Sequence, residues 1–193
     1  MSHLGYGCLM TVDREQVLRS AATLLSRRAT ATMDEVAKAA GIGRATLHRH
    51  FAGRDALVRA LEELGLREFE AAVESARLHE GDPADALRRL VTASTPATGL
   101  LGFLISENQL FEGEHVNEGW DRLDARIAAL FRRGQEEGGF RVDLSASWLA
   151  EALYGLISAG AWSVHSGRLA ANDYQYMTTE LLLGGCTRRS VKE

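Results

Sequence analysis

Cysteine and proline are both scarce in this chain, with two of each among 193 residues. The cysteines, Cys8 and Cys186, lie at opposite ends without a CxxC spacing, which argues against a disulfide scaffold and against a structural metal site. We therefore expect a cytoplasmic protein with no metal and no other cofactor. The scarcity of proline also favours uninterrupted helices, because proline removes a helical hydrogen bond.

Long apolar runs are missing as well. No stretch approaches the roughly 20 apolar residues that a membrane-spanning helix requires. The opening decapeptide, MSHLGYGCLM, lacks the basic start and the apolar core of a signal peptide. We interpret residues 1–10 as a disordered arm or a leader.

The motifs of common enzymes are also absent. The sequence has no glycine-rich phosphate loop after a strand, no GxSxG and no cysteine with a base nearby. Glu112, Glu114 and His115 form a lone ExxH, which lacks the second matching pair that a di-metal site in a helix bundle needs. We interpret these three residues as a solvated loop and do not expect an enzyme.

Apolar residues recur at helical spacing along the chain, without the alternation of strands, which predicts an all-α fold. The segment GRDALVRAL begins a long helix, which is expected to run on until Gly81, Asp82 and Pro83 stop it. The next helix is expected to break at Thr95, Pro96 and Gly99. A loop should reach about Glu118, and the helix after it should end near Gly138 and Gly139.

The segment from Met33 to Phe51, MDEVAKAAGIGRATLHRHF, has the pattern of two short helices joined by a tight turn. Thr32 and Glu35 have capping-box spacing at the start of the first helix. Gly41 suits the left-handed conformation that ends it. In the second helix, Leu47 and Phe51 should face the core, which leaves an outward face made of Arg44, Ala45, His48 and Arg49. This pattern indicates a helix-turn-helix, although any small helical hairpin with a polar surface would share its periodicity.

Residues 13 to about 60 resemble the DNA-binding domain of the tetracycline-repressor (TetR) family of bacterial transcription regulators. The resemblance rests on three helices, on the alanine pair followed by glycine and isoleucine, and on Thr46-Leu47-x-x-His50-Phe51 with Arg54 after it. The loop RRATA between the first two helices is shorter than is usual in that family. The resemblance implies an N-terminal three-helix DNA-binding domain (residues 11–60) and a helical effector-binding and dimerisation domain (residues 61–193).

Exposed positions on the second helix of the motif are the candidates for reading DNA. We assign Arg44, Ala45 and His48 to base edges, because arginine prefers guanine O6 and N7. Phosphate contacts are assigned to Thr46, Arg49, His50 and Arg54, with a further hydroxyl or backbone contact at Thr32. A solvated surface role remains the alternative for each.

The charges are distributed unevenly along the chain. Residues 11–60 hold nine Lys or Arg against five Asp or Glu, whereas the remainder holds 13 against 21. A positive N-terminal part attracts phosphate, and a negative remainder discourages unspecific coating by nucleic acid. The acidic sequence pI of about 5.9 is therefore compatible with binding to double-stranded DNA.

The last two helices, within SASWLAEALYGLISAGAWSVHS and YQYMTTELLLGGC, are apolar over much of their circumference. The first also carries small residues at spacings of three or four, which let neighbouring helices approach closely: Ala152, Gly155, Ala159 and Gly160. We predict a homodimer through these helices, which would present two reading helices to a palindromic operator. A monomer whose last helices complete one core is the alternative.

The resemblance further implies a largely apolar cavity for a small-molecule effector whose binding releases the operator, as in a repressor. The candidate lining residues are Leu100, Phe103, Leu104, Phe111, Trp120, Tyr154 and Trp162, with Asn108, Gln109 and His165 as polar groups. Ordinary core packing is the alternative for each aromatic residue. The alternative function is a helical dimeric adaptor or ligand-binding protein that no longer binds DNA.

Overall fold

The structure is a computed structural model that describes residues 13–106 and 114–188. Within these ranges the chain forms nine α-helices and one turn of 3-10 helix, with a single isolated bridge between Phe140 and Thr187. The predicted all-α class is therefore confirmed. The helices are α1 (Arg14–Arg27), α2 (Met33–Ala39), α3 (Arg44–His50), α4 (Arg54–Ala76), α5 (Pro83–Ser94), α6 (Thr98–Ser106), α7 (Glu114–Glu136), α8 (Ala146–His165) and α9 (Tyr174–Cys186).

The chain divides into two compact units between Val58 and Arg59. The first unit comprises α1, α2, α3 and the first turn of α4, and the second comprises the rest. Each unit has its own apolar interior, which is the condition for a separate domain. The functional domain assignments made from the sequence stay predictions.

The first unit is built around apolar side chains that recur at helical spacing on α1, α2 and α3. Its most deeply buried members include Val17, Leu25, Val36, Leu47 and Phe51. The guanidinium of Arg14 also lies over the Phe51 ring, 4.9 Å from its centroid. The two helices of the helix-turn-helix, α2 and α3, are thus packed with α1 around a common apolar core.

The second unit has a larger core in which α4, α5, α7, α8 and α9 all contribute buried side chains. Phe131 and Phe140 pack with ring centroids 5.9 Å apart. Gly134 is required beside them, because a Cβ there would collide with the Phe140 ring. The chain after α7 is fastened by hydrogen bonds from Arg141 N to Cys186 O and from Arg188 N to Gly139 O, each 2.9 Å.

Helix α4 ends at Ala76, earlier than the sequence predicts, and Arg77 after it has a positive φ of 47°. Arg89 of α5 donates to the carbonyls of Ala76, Arg77 and Glu80 over 2.7–3.1 Å. Arg133 of α7 donates to the carbonyls of Leu78 and Gly81. These bonds satisfy carbonyls that a continued helix would satisfy internally, so the prediction of a helix up to Gly81 is wrong.

Two other boundaries also differ from prediction. The expected break at Thr95, Pro96 and Gly99 is only a 3-10 turn (Thr95–Ala97), and Gly99 lies inside α6. The Thr98 hydroxyl donates to the Thr95 carbonyl over 2.7 Å, which helps the chain pass directly from one helix to the next. Helix α7 begins at Glu114 rather than near Glu118, so Glu114 and His115 are helical and not part of a loop. Glu112 lies outside the described residues.

None of the helices within residues 13–106 and 114–188 is both long enough and apolar enough to cross a membrane. The thiol of Cys186 is buried in the second core, and burial raises its pKa to about 11. This cysteine is therefore protonated and acts as a small apolar core residue.

Candidate nucleic-acid interface and effector site

Helix α2 starts with the capping box that the sequence predicts. The backbone N–H of Thr32 donates to Glu35 Oε2 over 2.8 Å, and Glu35 N donates to the Thr32 hydroxyl over 3.4 Å. These hydrogen bonds, with the nearby Arg28 guanidinium, hold the pKa of Glu35 below its ordinary value. These hydrogen bonds hold Thr32 at the N-terminus of α2 and fix the direction in which the chain enters the helix-turn-helix.

The turn between α2 and α3 is a Schellman motif. Gly41 N donates to Lys38 O over 3.1 Å, and Ile42 N donates to Ala37 O over 3.0 Å. Gly41 has the positive φ, 69°, that this arrangement requires. The prediction that Gly41 ends the helix is confirmed, and the chain direction into α3 is set by these residues.

Helix α3 has one buried face and one exposed face. Leu47 is fully buried on the inner side. The opposite side exposes four of the predicted DNA-binding residues, namely Arg44, Ala45, His48 and Arg49, while Thr46 and His50 are half-buried. Arg49 donates to the Thr46 hydroxyl over 3.2 Å. The exposed side therefore offers two cations and one imidazole on a short, well-supported helix.

Arg44 has a partner that the sequence analysis missed. Its guanidinium pairs with the Asp34 carboxylate on α2, with Nε to Oδ1 at 3.3 Å and Nη1 to Oδ2 at 3.4 Å. Both side chains are largely exposed, so the pair contributes little stability. No local pattern reveals this pair, since it depends on how α2 and α3 cross.

Arg54, at the start of α4, binds the loop between α1 and α2. Its Nη1 donates to Ala31 O over 3.0 Å and its Nη2 donates to Ala29 O over 2.6 Å. Ala31 itself is buried. The short loop RRATA is thus fastened by an arginine that lies more than twenty residues further along the chain. The phosphate contact assigned to Arg54 stays a prediction beside this structural role.

Five of the predicted effector residues are buried or partly buried in the second unit. Leu100, Phe103 and Leu104 of α6 are buried. Trp120 of α7 and Tyr154 of α8 pack against Phe69 of α4, with ring centroids 6.1 and 5.7 Å from its centroid. Phe69 was identified from the sequence only as part of the apolar stripe of α4.

Polar atoms also belong to this aromatic cluster. The Tyr154 hydroxyl donates to Asp124 Oδ1 over 2.6 Å, and burial with this carboxylate raises the pKa of Tyr154. The indole Nε1 of Trp120 is buried and has no hydrogen-bond partner in the described part of the chain. Such an unsatisfied donor is rare in protein interiors.

The structure does not place Trp162 and His165 with this cluster. Trp162 is 60% exposed near the end of α8, where its ring lies 5.8 Å from that of His165. Their assignment to the effector site stays a prediction that the geometry of this unit does not favour. Asn108, Gln109 and Phe111 lie outside the described residues.

Comparisons with known proteins decide the family. A family profile described as bacterial regulatory proteins, tetR family, matches residues 17–61. Over 175 residues the chain is 30% identical to the HTH-type transcriptional regulator NfxB of Pseudomonas aeruginosa, covering 90% of this chain and 94% of that protein. The chain belongs to the TetR family.

A second relative supports the same assignment for this TetR-family chain. The HTH-type transcriptional repressor LfrR of Mycolicibacterium smegmatis is 28% identical over 154 residues, which cover 80% of each protein. A crystal structure of LfrR in complex with proflavine has a TM-score of 0.74 at 25% identity, covering 89% of this chain and 94% of that chain. This TetR-family protein is therefore a DNA-binding transcriptional regulator.

The last two helices of this TetR-family protein expose an apolar face, which we call the α8–α9 face. On α8 it contains Trp148, Gly155, Ala159 and Trp162, and on α9 it contains Met177, Leu181 and Gly184. Along each helix these positions recur at intervals close to multiples of 3.5 residues, the pattern of helices that pack against partners. Gly160 differs from the other predicted small residues, because a Cβ there would collide with Tyr174 of the same chain.

Replacing Arg54 with alanine is expected to destabilise the first unit of this TetR-family protein. The change removes two hydrogen bonds from a charged donor to loop carbonyls, which costs about 2 kcal/mol in the free energy of unfolding. Arg54→Lys should restore only part of the loss, since an ammonium group lacks the fork that reaches both carbonyls. Thermal or urea unfolding measures the effect, and Arg49→Ala on the exposed side of α3 is the matched control. Equal stability of the Arg54→Ala and Arg49→Ala proteins would contradict this structural role.

Proposed function

We propose that this TetR-family regulator is a repressor that binds a palindromic operator as a homodimer and is released from it by a small organic effector. The observation that carries the DNA-binding part is the exposed side of α3, with Arg44, His48 and Arg49 on a helix fixed by a capped α2 and a Schellman turn. A short helix presented in this way fits the major groove of duplex DNA.

Within this proposal Arg44, Ala45 and His48 read base edges. In the free protein Arg44 pairs with Asp34. It must therefore exchange a carboxylate for the acceptors of guanine when DNA binds. Phosphate contacts are assigned to Arg49, Thr46, His50 and Arg54. Thr32, at the start of α2, adds a hydroxyl or backbone contact to the phosphate backbone of the DNA. Residues 11–60 are thus proposed as the DNA-binding domain.

The proposed dimer forms through the α8–α9 face. Two helices per chain, paired across a two-fold axis, make a four-helix bundle that removes Trp148, Met177 and Leu181 from water. A Cβ added at Gly155 would meet no atom of its own chain within 4 Å, so a partner helix can approach closely there. Two reading helices related by that axis match half-sites about one helical turn, roughly 34 Å, apart or a multiple of it.

The effector is proposed to bind in the second unit, at the cluster formed by Phe69, Trp120 and Tyr154. The similar protein LfrR forms a complex with proflavine, which supports a small organic ligand here. Helix α4 is a single helix that contains Arg54 at its start and Phe69 further along. We infer that a ligand at Phe69 shifts α4 and thereby changes the operator affinity, and reciprocity requires that operator weakens ligand binding by the same factor.

Binding to the DNA upstream of the protein's own gene tests this function. A dimer that neutralises several phosphates should lose about 10³–10⁵ in affinity between 50 and 200 mM salt, while still preferring operator over random DNA. The alternative, an adaptor that no longer binds DNA, predicts no binding to this DNA at either salt concentration. Absence of a specific complex on the upstream region and on its neighbouring intergenic DNA would overturn the proposal.

A further inference from the structure

Asp34 of α2 is an exposed carboxylate on the helix-turn-helix to which the proposed function gives no contact with DNA. Its neighbour Glu35 bonds to Thr32 in the capping box and pairs with the guanidinium of Arg28. Asp34 lies outside this capping box, and its side chain is 62% exposed. Its carboxylate reaches across to α3, where its partner is Arg44. The two acids at the start of α2 therefore differ, since one caps the helix and the other faces the reading helix.

The contact between Asp34 and Arg44 joins an acid to a cation that is proposed to read a base. Two atom pairs link them, with Arg44 Nε 3.3 Å from Asp34 Oδ1 and Arg44 Nη1 3.4 Å from Asp34 Oδ2. When Arg44 moves to guanine, the carboxylate loses this partner among phosphates that repel it. An ionised carboxylate accepts hydrogen bonds and donates none. The group of the DNA that can replace the guanidinium is therefore a hydrogen-bond donor.

The dimensions of this pair match the stacking of base pairs. Adjoining base pairs of B-DNA are about 3.4 Å apart along the helix axis. The two contacts between Arg44 and Asp34 have nearly this length. A guanidinium that binds the guanine of one base pair therefore leaves the neighbouring carboxylate within reach of the next base pair.

The donors that a carboxylate meets in the major groove are few. Cytosine presents its N4 amino group there, with no acceptor of its own beside it. Adenine presents an N6 amino group, but its N7 acceptor lies next to that group and repels a carboxylate. Guanine presents the acceptors O6 and N7, and thymine presents O4 and a methyl group. Cytosine is thus the base whose edge best complements Asp34.

We propose that Asp34 accepts a hydrogen bond from cytosine N4 in the base pair next to the guanine that Arg44 reads. This inference rests on the proposed function, in which Arg44 contacts a base edge. In the free protein the two side chains satisfy each other, and on the operator a guanine and a cytosine replace both partners. Where either base is wrong, the exchange leaves Arg44 or Asp34 without its new partner. The pair therefore discriminates at two adjoining base pairs.

Alanine variants of two similar acids test the role of Asp34. Glu15 is the matched control, because it also lies in the first turn of its helix, pairs with an arginine (Arg19, 2.8 Å) and is 56% exposed. Each change removes one negative charge and one favourable interaction with a helix N-terminus. General effects of charge and helix stability are therefore the same in the Asp34→Ala and Glu15→Ala proteins.

Competition with operators that vary one base pair at a time measures the preferences. The wild type and Glu15→Ala should prefer cytosine at one position by at least about fivefold. Asp34→Ala should reduce this preference to less than about twofold while keeping the guanine preference at the adjoining pair. An Asp34→Ala protein that keeps every base preference, or that relaxes only the base pair relaxed by Arg44→Ala, would overturn the proposal. So would an equal loss of the cytosine preference in Glu15→Ala.

N4-methylcytosine provides a test on the unaltered protein. Its methyl group replaces the amino hydrogen that points into the major groove, and the base still pairs with guanine. We expect this base at the preferred position to weaken binding of the wild type by at least about fivefold and to change the affinity of Asp34→Ala by less than about twofold. Equal affinity of the wild type for the methylated and unmethylated operators would overturn the contact with N4.

The same measurements separate this inference from the proposed function. A wild-type protein that selects an operator but shows no cytosine preference beside the guanine would overturn the role of Asp34 alone. A wild-type protein that selects no sequence at all would instead overturn the proposed function.

Discussion

Replacing Leu181 with glutamate is expected to convert the protein to monomers and to lower its affinity for operator DNA by about 10²–10⁴-fold. Leu181 is 65% exposed on the α8–α9 face, so the side chain of an isolated subunit tolerates the change. In the proposed dimer the same position is buried, and two symmetry-related carboxylates would lie close together without partners. A monomer has one reading helix and loses the effective concentration that the second half-site supplies.

Sedimentation and operator binding measured on the same samples check this expectation. Val142→Glu is the matched control, because Val142 is 78% exposed but lies outside the α8–α9 face. The control should remain dimeric with wild-type operator affinity. A Leu181→Glu protein that stays dimeric, or that becomes monomeric and still binds operator as the wild type does, would refute the proposed interface.

Replacing Arg44 with alanine is expected to cost about 1–3 kcal/mol on the operator and to relax the preference at a single base pair. That loss corresponds to roughly 5- to 150-fold in affinity. Random DNA should be affected much less, because a base contact contributes to specificity and not to phosphate binding. Competition with operators that vary one base pair at a time measures the change.

Arg49→Ala provides the contrast on the same helix. We expect it to weaken operator and random DNA by similar factors and to reduce the salt dependence by about one phosphate contact. A third variant, Asp34→Asn, frees Arg44 from its ion pair and should leave the base preference in place. If Arg44→Ala weakens operator and random DNA equally, the division between base-reading and phosphate-binding residues is wrong.

The helix-turn-helix was predictable because its devices are local. The capping box joins Thr32 to Glu35, and the Schellman turn joins Ala37 to Ile42, so each involves residues within two helical turns. Burial of Leu47 and exposure of Arg44 follow from helical periodicity alone. The extents of α8 and α9 were predicted for the same reason, since clear polar segments flank both apolar stretches.

Predictions that depended on distant residues were less successful. Helix α4 ends at Ala76 because Arg89 and Arg133 bind the carbonyls that follow it, and no pattern near Gly81 reveals those donors. Trp162 was grouped with the effector residues because it is aromatic and lies on α8, as Tyr154 does. The structure separates them, because Tyr154 packs against Phe69 whereas Trp162 is largely exposed near the end of the helix.

The amino-acid sequence by itself determined the all-α class, the helix-turn-helix and the exposed positions on α3, because periodicity, caps and glycine conformation act within a few residues. Only the tertiary structure decided that Arg54 fastens the α1–α2 loop, that Arg44 pairs with Asp34 and that Arg89 binds a carbonyl at the end of α4. These three features depend on the approach of separate helices. The physical reason is that charge and hydrogen-bonding groups find their partners in space, and sequence patterns record only the neighbours along the chain.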